Sequence, residues 1–223
     1  MIAKNLISDS IPTVQLEDTG TKVLALMDIF RVSHLPVVSG KEYFGVVSDK
    51  QIYDAENFEE KIETYVKQNL LQPHVHLNQH IFEVVGVALA CNVSIIPVLD
   101  MDHSYYGSIT RNDLSIKMAE LFSGTEPGGI IVLEVTDINY SLTQIAQIVE
   151  GNDAKILSLY IHKPSPISKE LDITLKVNKV DLSGILQTFT RYDYEIKATY
   201  MDESQIKDFY DDRYDLFMKY INI

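Results

Sequence analysis

There is no tryptophan in this 223-residue chain, only one cysteine, Cys91, and only ten glycines and seven prolines. A single cysteine excludes an internal disulfide and suits a reducing compartment, so the cytoplasm is the expected location. So few glycines and prolines, with 46% hydrophobic and 23% charged residues, exclude collagen-like and low-complexity disordered chains. Long apolar runs are missing too. Stretches such as Ile130 to Leu133 are strand-sized, well short of the roughly 20 residues a membrane helix requires. The opening Met1-Ile2-Ala3-Lys4-Asn5-Leu6 lacks the apolar core of a secretory leader. Clustered cations are absent as well: 19 Lys and Arg stand against 32 Asp and Glu, a net charge of −13. No segment could neutralise a nucleic-acid backbone, and an anionic membrane would repel the chain. P-loop, GxGxxG and nucleophile-elbow motifs are also missing, so no enzyme is expected.

What is present is an internal repeat. Residues 33–47 read Ser-His-Leu-Pro-Val-Val, a polar turn, then Tyr-Phe-Gly-Val-Val; residues 94–109 read Ser-Ile-Ile-Pro-Val-Leu, a polar turn, then Tyr-Tyr-Gly-Ser-Ile. An apolar helical stretch precedes each: Val23, Leu26, Met27 and Phe30, then Ile81, Val84, Val85, Ala88 and Leu89. Three- and four-residue spacing predicts one buried face per helix. Two short strands follow, then a second helix starting near Ser48 or Thr110. In the latter, Leu114, Met118, Leu121 and Phe122 recur at helical spacing.

The duplicated motif resembles a CBS-domain pair, a Bateman module, over residues 1–122, with units at about 5–57 and 66–122. That resemblance implies two units packed sheet against sheet, with adenosine-type ligands in the clefts between them. Its ligand signature is a Ser or Thr after the second strand and an Asp three residues later. The second repeat carries this as Thr110 and Asp113, with Arg111 between them. A carboxylate suits a ribose diol, a hydroxyl at a helix N-terminus suits phosphate, and a guanidinium adds a planar charged contact. Extended backbone at Ser94, Ile95 and Ile96, before Pro97, is placed to read an adenine edge. The first repeat matches at Ser48 but has Gln51 for the Asp, and Asp49 comes two positions early, so this second site is degenerate. Thr110 with Asp113 is equally the signature of a helix N-cap. AMP, ADP, ATP or another adenosyl compound is the expected ligand class, and no cofactor is required.

Residues 123–129 are rich in breakers and read as a linker. After them come a strand (130–135), a helix (142–149), two strands (155–161 and 171–177), a helix (182–189) and a strand (194–200). Leu171, Ile173, Leu175 and Val177 alternate onto one face, and each helix has one apolar stripe. The expected fold class is therefore α+β, with a ferredoxin-like βαββαβ sheet and both helices on one side. Residues 130–200 resemble an ACT domain, which implies an amino-acid loop at Asp137 and Asn139. Asn139 and Tyr140 replace the family's usual Pro and Gly. A CBS pair with an ACT-like domain is similar to the acetoin-utilisation (AcuB-type) regulatory proteins, and both families imply a homodimer and a regulated partner protein.

His74-x-His76, followed by His80, has the only metal-like spacing. No cysteine or clustered carboxylate completes a tetrahedral set, so these are read as strand-edge histidines and no metal is assigned. Residues 201–223 read as an acidic amphipathic helix. Three functions follow as expectations: a regulatory sensor of an adenine nucleotide, a structural protein-interaction module without a small ligand, or an amino-acid sensor.

Overall fold

A computed structural model describes every residue except 9, 56, 68–69, 123–125 and 202–223. The expected C-terminal helix and part of the linker lie outside the described residues. The chain divides into two compact units, Met1–Met118 and Ala119–Ile223.

In the N-terminal unit the two repeats are built alike. The first has helix α1 (Gly20–Phe30), strands β1 (His34–Ser39) and β2 (Glu42–Ser48) and helix α2 (Asp49–Tyr53); a short helix, α3 (Ile62–Val66), follows. The second has a two-residue strand β3 (Val75–His76), helix α4 (Ile81–Cys91), strands β4 (Ile95–Leu99) and β5 (Tyr105–Thr110) and helix α5 (Arg111–Leu121). β1 pairs antiparallel with β2; β4 pairs antiparallel with β5 and parallel with β3. Both leading helices end on a left-handed residue at equivalent places, Arg31 (φ 53°) and Asn92 (φ 50°). Asn accepts this conformation readily, whereas Arg does so at a cost.

The predicted helix stripes hold at their centres and fail at their rims. Val23 and Met27 of α1, and Ile81, Val84 and Ala88 of α4, are buried. Leu89 is 76% exposed, because at 100° per residue it lies roughly 80° around the helix from Ile81. In α5 only Leu114 is buried, while Leu121 and Phe122 stay about two-fifths exposed.

Each repeat has a core cluster, with Val46 of the first buried in that of the second, and each is completed by chain from outside its motif. Ala3 and Leu6 are buried in the core of the second repeat, on which Ile7 also packs; Leu70 is buried in that of the first. The motif glycines make this docking close. At Gly45 (φ +133°) a Cβ would stand 2.6 Å from the backbone oxygen of Leu71, whose carbonyl accepts from Val46 N–H at 2.9 Å. At Gly107 a Cβ would stand 2.6 Å from Ile7 Cγ2, and the next residue, Ser8, donates its N–H to Ser108 O at 2.9 Å. Only glycine gives both the space and, at Gly45, the backbone conformation.

The C-terminal unit runs β6 (Ile130–Thr136), α6 (Leu142–Glu150), β7 (Ile156–His162), β8 (Glu170–Val177), α7 (Ser183–Arg191) and β9 (Glu195–Tyr200). Its sheet has the order β7-β8-β6-β9, antiparallel throughout. Leu171, Ile173, Leu175 and Val177 are buried with Ile145, Ile148, Val149, Ile185 and Phe189 in one core, so both helices cover one face, as the alternation predicts.

Candidate functional site

The C-terminal end of β5 and the start of α5 open onto a cavity of about 690 Å³ in the N-terminal unit. It gathers Thr110, Arg111, Asn112 and Asp113 with Ser94, just before β4. Antiparallel pairing explains the meeting, because Ile95 sits opposite Thr110 and Arg111 N–H donates to Ser94 O at 2.9 Å. The other wall holds Phe30, Arg31 and Val32 from the end of α1, with Ser8, Ser10 and Ile11 from the N-terminal segment.

Four predicted residues are thus brought together: Ser94, Thr110, Arg111 and Asp113. Ile95, Ile96 and Pro97 are not among the lining residues. Ile95 and Ile96 are fully buried in the core, and Pro97 is buried beside them. The reason is that β4 is buried along its whole length, so side chains on both faces of the strand pack into core. Ser8, Ser10 and Arg31 were not predicted. Nothing in the local motif marks the two serines, since their approach depends on the docking at Gly107. Arg31 had a signal, being the counterpart of Asn92 in the repeat.

Much of the site's polar capacity is turned inward. Thr110 Oγ1 donates to Asp113 Oδ2 at 2.7 Å and accepts from Asp113 N–H at 2.9 Å, a helix cap. Arg111 donates from one nitrogen to Val93 O at 2.7 Å and Asn92 Oδ1 at 3.3 Å, at the end of α4. The expected phosphate contact is therefore not preformed by that nitrogen, although the guanidinium keeps three N–H groups on its other two nitrogens. Two arginines, Arg31 and Arg111, line the cavity beside one acid, Asp113. The cleft is locally cationic in an acidic chain.

In the first repeat, Ser48 and Gln51 satisfy each other as a capping box: Gln51 N–H donates to Ser48 Oγ at 3.1 Å and Ser48 N–H to Gln51 Oε1 at 2.9 Å. Asp49 stands where Arg111 stands in the second repeat, placing a negative charge where a phosphate would need a positive one. Between the repeats, His34 Nδ1 accepts from Ser94 N–H at 3.3 Å and lies 3.0 Å from Ser33 Oγ. Burial holds this imidazole below its ordinary value; Asp49 opposes that and Arg111 adds to it.

In the C-terminal unit, Asn139 lines a cavity of about 510 Å³ with Gln144, Tyr192, Tyr194 and the carboxylates Glu134, Glu170, Asp193 and Glu195. Asp137 is not among its lining residues and lies 3.6 Å from Lys163 Nζ. A wall of four acids suits a cationic group and repels the carboxylate of a free amino acid. Of the noted histidines, His80 belongs to a helix cap: its Nδ1 accepts from Phe82 N–H at 3.3 Å, and its own N–H donates to Glu83.

No helix among the described residues is long and apolar enough to cross a membrane. Comparison with solved structures returns CBS-domain proteins over about half of the chain. A CBS domain pair/ACT domain protein from Thermotoga maritima is 19% identical, with 54% of this chain and 98% of that one covered and a TM-score of 0.48. The CBS domain of a bacterial CNNM/CorC-family Mg²⁺ transporter, in complex with ATP, is 19% identical over 53% and 87% of the two chains, at a TM-score of 0.44. CBSX2 in complex with AMP is 18% identical over 53% and 96%, at 0.43. The family model of the CBS domain matches residues 3–57, the first repeat together with the segment that leads into it.

Proposed function

We propose that this chain is a non-catalytic regulatory protein whose CBS pair binds an adenine-nucleotide-type ligand in the cleft at Thr110, Arg111 and Asp113. The observation that carries this reading is the gathering of two arginines, one aspartate and four serines around a single cavity. Asp113 accepts from a ribose diol, Arg111 and Arg31 meet phosphate, and Ser8, Ser10 and Ser94 supply neutral hydrogen bonds. The counterpart site at Ser48 and Asp49 stays empty. CBS domains as a class regulate rather than catalyse. Because the walls come from both repeats and from the N-terminal segment, a ligand there biases how these parts pack.

We further take residues 1–122 as the CBS pair, 123–129 as the linker and 130–200 as an ACT-like domain. The whole is then a cytoplasmic homodimer of the AcuB type that passes the signal to the ACT half or to a partner protein. The test is thermal denaturation of the full chain against AMP, ADP, ATP, NAD and S-adenosylmethionine. Ligand at a hundred times its dissociation constant adds about 2.7 kcal/mol to the folded state. Asp113→Asn keeps an acceptor for Thr110 but loses the charge, so the shift should vanish while the unliganded midpoint stays. A full shift in that variant refutes the site.

A second reading is favoured by the inward hydrogen bonds of Thr110, Asp113 and Arg111: a structural interaction module with a self-satisfied cleft. No shift with any ligand, together with a captured partner protein, selects it. An amino-acid sensor is disfavoured by the acids around Asn139.

A further inference from the structure

We propose that His74, His76 and His103 form a binding site for a divalent transition-metal ion of the zinc class, at the turn end of the second repeat's sheet. One ring nitrogen from each comes within 4.8 Å of the others. The sequence separates His103 from the pair, and the fold brings it back. His74 and His76 are two apart on an extended segment and share a face. β3 runs parallel beside β4 with His76 opposite Leu99, so His76 stands next to the β4–β5 turn. That turn is closed by Asp100 N–H donating to Ser104 O at 2.8 Å and His103 N–H donating to Asp100 O at 3.0 Å. His103 sits within it in the left-handed conformation, φ 63°.

The surroundings orient two of the rings for ligation. His74 Nδ1 lies 2.9 Å from Gln72 O and His76 Nδ1 lies 3.2 Å from Asp100 O. A carbonyl only accepts, so each Nδ1 carries the hydrogen and each Nε2 keeps its lone pair. This is the outer arrangement that metal-bound histidines use to fix tautomer and ring direction. Ring centroids are 5.6 Å apart for His74–His76 and 5.3 Å for His76–His103, all edge-on, so the rings converge without stacking. Zinc–nitrogen bonds of about 2.0–2.1 Å set tetrahedral nitrogens roughly 3.3 Å apart. The ring of His103, exposed on its turn, can supply that contraction by rotation. Imidazole nitrogen without a carboxylate selects zinc, nickel or copper over magnesium and calcium. Three protein ligands leave one tetrahedral position for water or an exchangeable ligand. The site is separate from the nucleotide cleft: Ser94 and Asp100 flank opposite ends of β4, about 20 Å apart.

Titration of the full chain with zinc chloride by calorimetry, with magnesium chloride as control, tests this. One zinc per chain is expected, with a raised unfolding midpoint and no response to magnesium. His103→Gly, which suits the left-handed turn, and His76→Gln should each weaken zinc at least tenfold with the metal-free midpoint unchanged. His80→Asn, which keeps a helix cap, should leave affinity alone. Absence of saturable zinc binding, or equal affinity in His103→Gly, overturns the assignment.

Discussion

Replacing Gly107 with alanine sets a Cβ 2.6 Å from Ile7 Cγ2 and 3.7 Å from its Cδ1, where the N-terminal segment crosses β5. Overpacking of this kind costs about 1–3 kcal/mol. The alanine also restricts the unfolded chain and returns roughly 0.4–1 kcal/mol. A net destabilisation of about 1–2 kcal/mol should remain, or about 2–8 °C in the unfolding midpoint for a chain of this size. Ile7→Ala alone should cost a similar amount, since Ile7 is only partly buried. Together the two should cost little more than Ile7→Ala by itself, because truncation removes both crowded atoms and leaves Ile7 Cβ at 3.8 Å, an ordinary contact. A double-mutant cycle by urea denaturation should therefore show about 1–2 kcal/mol of favourable coupling. Gly45→Ala is the control: its clash is with a backbone oxygen and its φ is +133°, so shortening a neighbouring side chain cannot rescue it. Additivity of Gly107→Ala and Ile7→Ala within about 0.5 kcal/mol would refute the claim that this glycine exists to admit the segment carrying Ser8 and Ser10.

Folded His34 releases its proton more easily than the unfolded side chain, whose ordinary value is 6.5. As pH falls below 6.5 the unfolded state binds the proton first, so this contribution is intact above 6.5 and lost on acidification. Denaturation at pH 7.5 and 5.5 should show a smaller loss in His34→Asn than in the parent; an equal loss counts against it. Ser48→Ala removes the capping acceptor of α2 and should cost about 1 kcal/mol in urea denaturation, with no change in nucleotide affinity if the first-repeat site is empty. Arg31→Gly relieves a left-handed arginine and should be neutral or stabilising, yet weaken a phosphate-bearing ligand; unchanged affinity would remove Arg31 from the site. Lys197 donates to Asp172 and lies 2.9 Å from Glu134, which raises its pKa. The stability difference between the parent and Lys197→Met should shrink as salt is added, because Lys197 is exposed and its two carboxylate partners are only partly buried.

Local and periodic features were legible in the chain. Alternation along 171–177 and the apolar spacing in 142–149 and 182–189 are properties of a strand and two helices in themselves, so they dictate which face must be covered. The repeat gave two like-built units for the same reason, and Thr110 with Asp113 announced a helix start that the structure shows as a closed pair of hydrogen bonds. What the sequence could not state is which distant segments complete each part. Ser8 and Ser10 enter the cleft only because Ile7 lies on Gly107, a contact across a hundred residues. His103 joins His74 and His76 only because β3 and β4 run parallel and the next turn folds back. Arg111, expected as a phosphate contact, is partly held by the end of α4. Periodicity is set by backbone geometry within a few residues, whereas cleft composition depends on long-range docking, whose partners have no fixed spacing in the chain.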